Sequence, residues 1–308
     1  MHKNQIEFVS GEIPRVNSQT STGVCYVEHE GARLAFDFEA PRDGLRATQL
    51  LVLVNGFARP RTDFRAFRKR IHAQMPHLAT LALDNRGAGE TEGGIEGLSV
   101  DRMARDVAFL AQAHAQALEL KGYHALGISM GGMICQNWTS RDARVRSLVL
   151  VSTTAGGDAR VWPDGIDAVK VKNKPFEPWP QDVEAMQRRM SRYFGQKFRK
   201  SSPLLIEMMV KNMLKANTEP QAQGRSRAQY DATVGYDGVL SLSLISCPTL
   251  VLTGSEDEII PPGNADALCR LIPQAKKVVF PEMGHLLLIE DPENFVAQVR
   301  TFLEGVGD

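Results

Sequence analysis

The sequence predicts an α/β protein: a doubly wound, mostly parallel, eight-stranded-type sheet flanked by helices, with an α-helical cap subdomain inserted into it. Three observations lead there. Continuous apolar runs of strand length recur, namely Gln49–Val54 (QLLVLV), Leu78–Leu83, Tyr123–Ile128, Ser147–Ser152 (SLVLVS) and Thr249–Thr253. Strands covered on both faces of a parallel sheet read this way instead of alternating. Segments of helical periodicity separate the runs, so the order is β-α-β repeated. The rhythm stops from about Ala155 to Leu240, where no strand-like run interrupts the helical stretches.

Taken in order, residues 1–22 are polar and read as an irregular arm. Val24–His29 and Arg33–Phe38 flank Glu30-Gly31 as a β-hairpin. QLLVLV is followed by a helix over Asp63–Gln74 and the strand Leu78–Leu83. Val100–Leu120 is an alanine-rich amphipathic helix. Strand Tyr123–Ile128, helix Gly131–Arg141 and strand SLVLVS follow. The interval 155–240 carries helices at Gln181–Phe194 and Pro203–Lys215, five methionines, and prolines at 163, 175, 178, 180 and 203. Strand Thr249–Thr253, helix Pro262–Leu271, strand Lys277–Phe280 and helix Pro292–Leu303 close the chain. The expected division is an arm (1–22), a core (23–154 and 241–308) and a cap (155–240).

Composition narrows the function classes. The 308 residues are 43% apolar and 23% charged with a net charge of zero, so no overall electrostatic footprint points to nucleic acid or an anionic membrane. The start, MHKNQIEFVSGEIPR, has no apolar h-region and does not read as a signal peptide. No apolar run approaches the ~20 residues of a membrane span. Cytoplasmic placement is the resulting expectation. Cys25, Cys135, Cys247 and Cys269 form no C-x-x-C pair and read as free thiols. The seven histidines make no metal-ligand pattern with cysteines or with a carboxylate cluster.

The segment GISMGG (127–132) joins an apolar strand to a helix through one serine with glycines two residues either side. A plain turn needs no hydroxyl there, whereas nucleophilic catalysis does. On a strand-to-helix corner the serine backbone is strained, and Gly127 and Gly131 avoid clashes with the neighbouring strand and helix. Ser129 is then exposed at the carboxyl end of the sheet, with a helix N-terminus aimed at it. A serine alone is a poor nucleophile and needs a base held by a carboxylate. In this architecture the chain order is serine, acid, histidine. Asp257 in GSEDEIIPP and His285 in PEMGHLLLIEDP follow two later strands, so three groups converge on one edge of the sheet. Glu256 is the nearest competitor for the acid.

The chain resembles the α/β-hydrolase superfamily, in particular its proline-iminopeptidase and carboxylesterase-like branch with an inserted cap. The matching pieces are VNGFAR (54–59), LDNRGAGET (83–91), GISMGG, GSEDEIIPP (254–262) and PEMGHLLLIEDPE (281–293), in family order. The resemblance favours Asp257 as the acid. It also implies an oxyanion hole made by the backbone N–H groups of Phe57 and Met130. One departure stands out: Asn55-Gly56 replaces the His-Gly of many relatives. The turn DNRGAG (84–89) reads as a structural buttress. A serine nucleophile excludes the epoxide and halide chemistry of relatives that use aspartate.

The function expected is cofactor-independent hydrolysis of a carboxylic ester or thioester through an acyl-enzyme, acting on a small to medium, largely apolar acyl group. The alternatives are a carbon–carbon bond hydrolase or lactonase using the same triad, and a small-molecule receptor with a slow site. The cap holds 14 Lys+Arg against 10 Asp+Glu, with six basic residues and no acid in RRMSRYFGQKFRK (188–200). That run is either a solvated face or a reader of an acidic substrate or acidic carrier protein. Trp162, Met186, Met190, Arg189 and Arg192 are the candidate substrate contacts, and an apolar, adaptable cap interior is expected from its methionines and tryptophans.

Overall fold

The computed structural model describes residues 6–8, 23–163, 176–217 and 220–306. Most of the expected arm, and residues 164–175 of the expected cap, lie outside them. Among the described residues ten strands form one sheet: β1 (Ile6–Phe8), β2 (Cys25–His29), β3 (Ala32–Glu39), β4 (Gln49–Val54), β5 (Leu78–Leu83), β6 (Glu92–Gly93), β7 (Tyr123–Ile128), β8 (Val145–Val151), β9 (Thr249–Gly254) and β10 (Ala275–Phe280). Their spatial order is β1-β2-β3-β5-β4-β7-β8-β9-β10, with β6 beside β3. Pairings made by β3 are antiparallel; the rest, including β1 on β2, are parallel.

The apolar runs form the centre of the sheet, and period-2 geometry sends alternate residues to opposite layers. Leu50, Val52 and Val54 pack with α2 (Val100–Ala117) and α3 (Met130–Thr139) on one face. Leu51 and Leu53 pack on the other face against Phe67 and Ile71 of α1 (Arg65–Gln74) and Phe295 and Val299 of the last helix, Pro292–Gly305. That arrangement is the expected three-layer α/β architecture. The edge strand β10 is the exception in pattern, since its residues before Phe280 are exposed or half-buried.

Between β8 and β9 the described residues carry helices α4 (Val183–Ser191), α5 (Gln196–Ser201), α6 (Pro203–Ala216), α7 (Pro220–Val234) and the single turn α8 (Val239–Leu242). Trp179, Met186, Met190, Phe194, Ile206, Met209, Val210 and Met213 form an apolar cluster of their own, which meets the rest of the chain at Phe57 and Leu286. The segment leaves and rejoins the sheet at one neck, where Gly238 N–H donates to the Ala155 carbonyl (2.9 Å) and Gly157 N–H to that of Tyr236 (3.1 Å). The remaining helices are α9 (Gly263–Leu271), α10 (Leu287–Glu290) and α11 (Pro292–Gly305).

Candidate active site

Four loops follow the carboxyl ends of β4, β7, β9 and β10, the side of an open α/β sheet where ligands bind. After β7, Ser129 adopts φ 54° and ψ −118°, a conformation typically costing ~1–3 kcal/mol for a residue with a side chain. The surroundings over-determine it. Ser129 N–H donates to the Val151 carbonyl (2.8 Å), and the Thr153 hydroxyl donates to the Ser129 carbonyl (2.7 Å). The flanking glycines are required by space: a Cβ on Gly127 would lie 2.3 Å from the Gly131 carbonyl oxygen, and one on Gly131 would lie 2.1 Å from that of Val54. The corner leaves Ser129 half-buried at the start of α3.

After β9 and β10, Asp257 and His285 meet with a Nδ1–Oδ2 distance of 2.8 Å, both residues being 3% exposed. The other oxygen of Asp257 accepts from the N–H groups of Ile259 (2.8 Å) and Ile260 (2.9 Å). A carboxylate held on both oxygens fixes the ring opposite it, placing the imidazole proton on Nδ1 and leaving Nε2 as the acceptor. The His285 backbone is held too: its N–H donates to the Tyr193 carbonyl (2.8 Å), and the Tyr193 ring meets the imidazole edge-on at 5.5 Å. Glu290 receives Gly284 N–H on one oxygen and Gly195 N–H on the other, each at 2.9 Å. Burial pushes the Glu290 carboxyl above its ordinary range.

The acids flanking Asp257 turn away from the imidazole. Glu256 accepts from Gln196 N–H (2.7 Å), while Glu258 pairs with Arg199 (2.5 Å) and Arg192 (3.5 Å). In the E-D-E triplet the middle carboxylate faces histidine and its neighbours dock the inserted helices.

The loop after β4 is organised by Asn55. Its Oδ1 accepts from Gly56 N–H (2.8 Å), and its Nδ2 donates to the Pro60 carbonyl (2.9 Å). Ala58 sits at φ 56°, and its N–H donates to Oε1 of Gln229 on α7 (2.7 Å). Nε2 of the same fully buried amide donates to the Arg86 carbonyl in the DNRGAG turn (2.7 Å). The Arg86 guanidinium faces inward as a bidentate partner of buried Asp106, at 2.6 and 2.7 Å. That turn is a buttress, as its sequence suggests.

These loops open on a cavity of about 230 Å³. Ser129, His285, Phe57 and Met130 all line it, and Trp162, Trp179, Met190, Met213, Ile260 and Leu286 give it apolar walls. Its charged lining groups are the guanidinium groups of Arg59, Arg160 and Arg189; among the described residues no Asp or Glu lines it.

A family profile described as "alpha/beta hydrolase fold" matches residues 49–292, most of the chain. The chain belongs to the α/β-hydrolase family. Over 226 residues it is 28% identical to the AB hydrolase superfamily protein YisY of Bacillus subtilis, spanning 72% of this chain and 80% of the relative. It is 26% identical over 246 residues to 3-oxoadipate enol-lactonase 2 of Acinetobacter baylyi, spanning 79% and 85%. Among solved structures, a thermophilic esterase from Thermogutta terrifontis superposes with a TM-score of 0.68 at 26% identity, covering 90% of this chain and 95% of that one.

In this α/β-hydrolase, Trp162, Arg189 and Met190, three of the five substrate contacts expected from sequence, line the cavity. Met186 and Arg192 do not. Met186 is fully buried inside the helical cluster, and Arg192 lies about one helical turn beyond Arg189, at the end of α4 beside Glu258. The basic run 188–200 is largely answered within the chain, by Glu184 on Arg188, Glu258 on Arg192 and Arg199, and Glu282 on Lys197. Sequence reasoning missed Gln229, Tyr193, Glu290 and Arg160. Arg160 alone had a local signal, following a strand end with Trp162 two residues on. Among the described residues no helix is long and apolar enough to cross a membrane.

Proposed function

We propose that this α/β-hydrolase cleaves carboxylic esters or thioesters of small to medium, largely apolar acyl groups through an acyl-enzyme. The observation that carries the reading is a single cavity lined by both Ser129 and His285, with Nδ1 of His285 held 2.8 Å from a buried Asp257. Ser129 Oγ bonds to the carbonyl carbon as its proton passes to Nε2 of His285. Collapse of the tetrahedral species breaks the bond to the leaving alcohol or thiol, which takes that proton. Water then repeats both steps and frees the acid. Asp257 holds the tautomer and offsets the imidazolium charge. The N–H groups of Phe57 and Met130 receive the developing oxyanion, each typically worth ~3–4 kcal/mol.

Residues 155–240 act as the cap over this site in the proposed reading, since Trp162, Trp179, Met190 and Met213 supply much of the cavity wall. At about 230 Å³ the cavity falls below the ~300–1,000 Å³ of sites for drug-sized ligands, which favours short acyl groups. A lactone is an intramolecular ester opened by the same groups, and the likeness to an enol-lactonase supports including lactones. The test is burst and steady-state hydrolysis of p-nitrophenyl esters from acetate to dodecanoate, with a γ-lactone panel, beside Ser129→Ala. Turnover that peaks at short acyl length and disappears in the variant supports the reading. Turnover retained by Ser129→Ala, or none by the native chain, sinks it.

A further inference from the structure

The three guanidinium groups on the cavity wall are not equivalent. Arg59 is paired with Asp63, at 2.6 Å from Nε to the carboxylate. Arg189 is tied to the carbonyls of Pro178 (2.9 Å) and Glu177 (3.3 Å) and lies over the Trp179 ring. Arg160 has the face of Trp162, 4.0 Å from the ring centroid, and no carboxylate partner among the described residues. A half-buried guanidinium with no acid beside it among the described residues is unusual, because an arginine cannot shed its charge at neutral pH. Burial pushes the Arg160 guanidinium down to about 10.

The segment carrying it is fixed. Buried Asn264 on α9 accepts from Val161 N–H (2.9 Å) and donates to the Val161 carbonyl (2.8 Å). Arg160 N–H closes the preceding turn on Gly157. Asn264 thus spends its amide on the residue between Arg160 and Trp162, so both side chains project from an anchored backbone. A flexible cation would gain nothing from such anchoring, whereas a binding group is preorganised by it.

We propose that Arg160 seats an anionic group carried by the substrate, so that the ester cleaved bears a carboxylate as well as its scissile carbonyl. This rests on the ester-hydrolase reading and narrows it. A planar guanidinium matches a carboxylate through two parallel hydrogen bonds, and the apolar wall of Trp162 excludes competing water. Arg59 is already neutralised by Asp63 and the Arg189 guanidinium is engaged by two carbonyls, so Arg160 is the cavity cation left to meet an anion.

The test compares monomethyl adipate with methyl hexanoate, a pair that differs in the terminal carboxylate. Binding is measured calorimetrically on Ser129→Ala, which needs no turnover, and kcat/KM on the native chain. The acid ester is expected to be favoured about 10- to 100-fold in both, the preference expressed in KM. Replacing Arg160 by Met collapses the ratio towards one, and Arg160→Lys restores part of it. Equal binding of the two esters by Ser129→Ala overturns the proposal without recourse to any Arg160 variant. So does an equal fall of both esters in Arg160→Met. A tenfold or greater binding preference with no turnover of either ester upholds the anion seat and sinks the ester-hydrolase reading instead.

Discussion

The strand-end loops and the inserted helices enclose the same cavity by different kinds of contact. Around Ser129 the contacts are backbone on backbone: glycines let strand and helix approach within a distance that forbids a Cβ, and main-chain N–H groups hold Asp257. Across the cavity, methionines, tryptophans and arginines do the shaping through long side chains, and a few polar pins attach them to the loops. The first construction fixes the reacting atoms and tolerates no change of volume. The second can be re-cut residue by residue, so in the proposed reading chemistry and selectivity belong to separate parts of the molecule.

The sharpest break in that comparison lies within one tripeptide. Asp257→Asn should reduce kcat by ~10⁴, because an amide in place of the carboxylate favours the wrong imidazole tautomer. Glu256→Gln, whose carboxylate meets the backbone of Gln196, should stay within a few-fold of native. Steady-state kinetics on one ester decide it, and equal losses in both variants would put the acid in the wrong place.

The next largest effect concerns volume. A Cβ on Gly131 would lie 2.1 Å from the Val54 oxygen and 2.7 Å from that of Asn55, both backbone atoms that cannot swing aside. Gly131→Ala is expected to lower stability by more than about 3 kcal/mol. Met209→Leu in the helical cluster should cost less than ~1.5 kcal/mol. Urea midpoints compare the two, and similar shifts would erase the distinction between the regions.

Acid should find the core before the insert. His72 on α1 is buried against the Thr80 hydroxyl (2.9 Å), and burial, reinforced by Arg68, pushes its pKa down to about 4. A base with a depressed folded pKa contributes stability that is complete above ~6.5 and lost as pH falls towards 4, because only the unfolded chain takes the proton readily. The loss approaches on the order of 3 kcal/mol at pH 4. His114 is pushed the same way by burial, whereas residues 155–240 contain no histidine. His72→Gln should flatten the fall in stability between pH 6.5 and 4; an unchanged slope would exonerate His72.

Gln229 tests whether the insert also reaches the chemistry. Its amide joins the Ala58 N–H, next to the proposed oxyanion donor Phe57, to the Arg86 carbonyl. Gln229→Leu removes both bonds and should lower kcat about tenfold with KM little moved, alongside ~1–3 kcal/mol of stability. Ser226→Ala on the same helix is the control, losing the bond from the Trp179 indole. If the two variants lose kcat equally, Gln229 is a packing residue only.

What was legible in the sequence follows the same division. GISMGG, Asp257 and His285 could be read because each signal is local: a corner needs its glycines nearby, and each partner follows its own strand end. Helix α7 escaped because its buried stripe is Ala222, Ser226, Gln229 and Ala232, correctly spaced for a helix yet small or polar, so hydropathy shows no face. Strand β1 escaped because three residues gain their identity only from pairing with Cys25–Val27. Glu290 and Tyr193 act through partners 95 and 92 positions away, at Gly195 and His285, a distance at which no spacing rule operates.

The smallest expected effect guards against over-reading charge in the insert. Arg192 is an exposed partner of Glu258 at 3.5 Å, in the run that the sequence leaves open between a solvated face and a reader of acidic ligands. Exposed pairs of this kind contribute ~0–1 kcal/mol, since water screens them and two long side chains lose freedom. Arg192→Gln should therefore move the urea midpoint by less than ~0.5 kcal/mol. It should also leave the preference for monomethyl adipate over methyl hexanoate within twofold of native, because the cavity wall is supplied by Arg189 one turn earlier. A loss of that preference in Arg192→Gln would move substrate reading out of the cavity and onto the insert's surface, reversing the assignment made to Arg160.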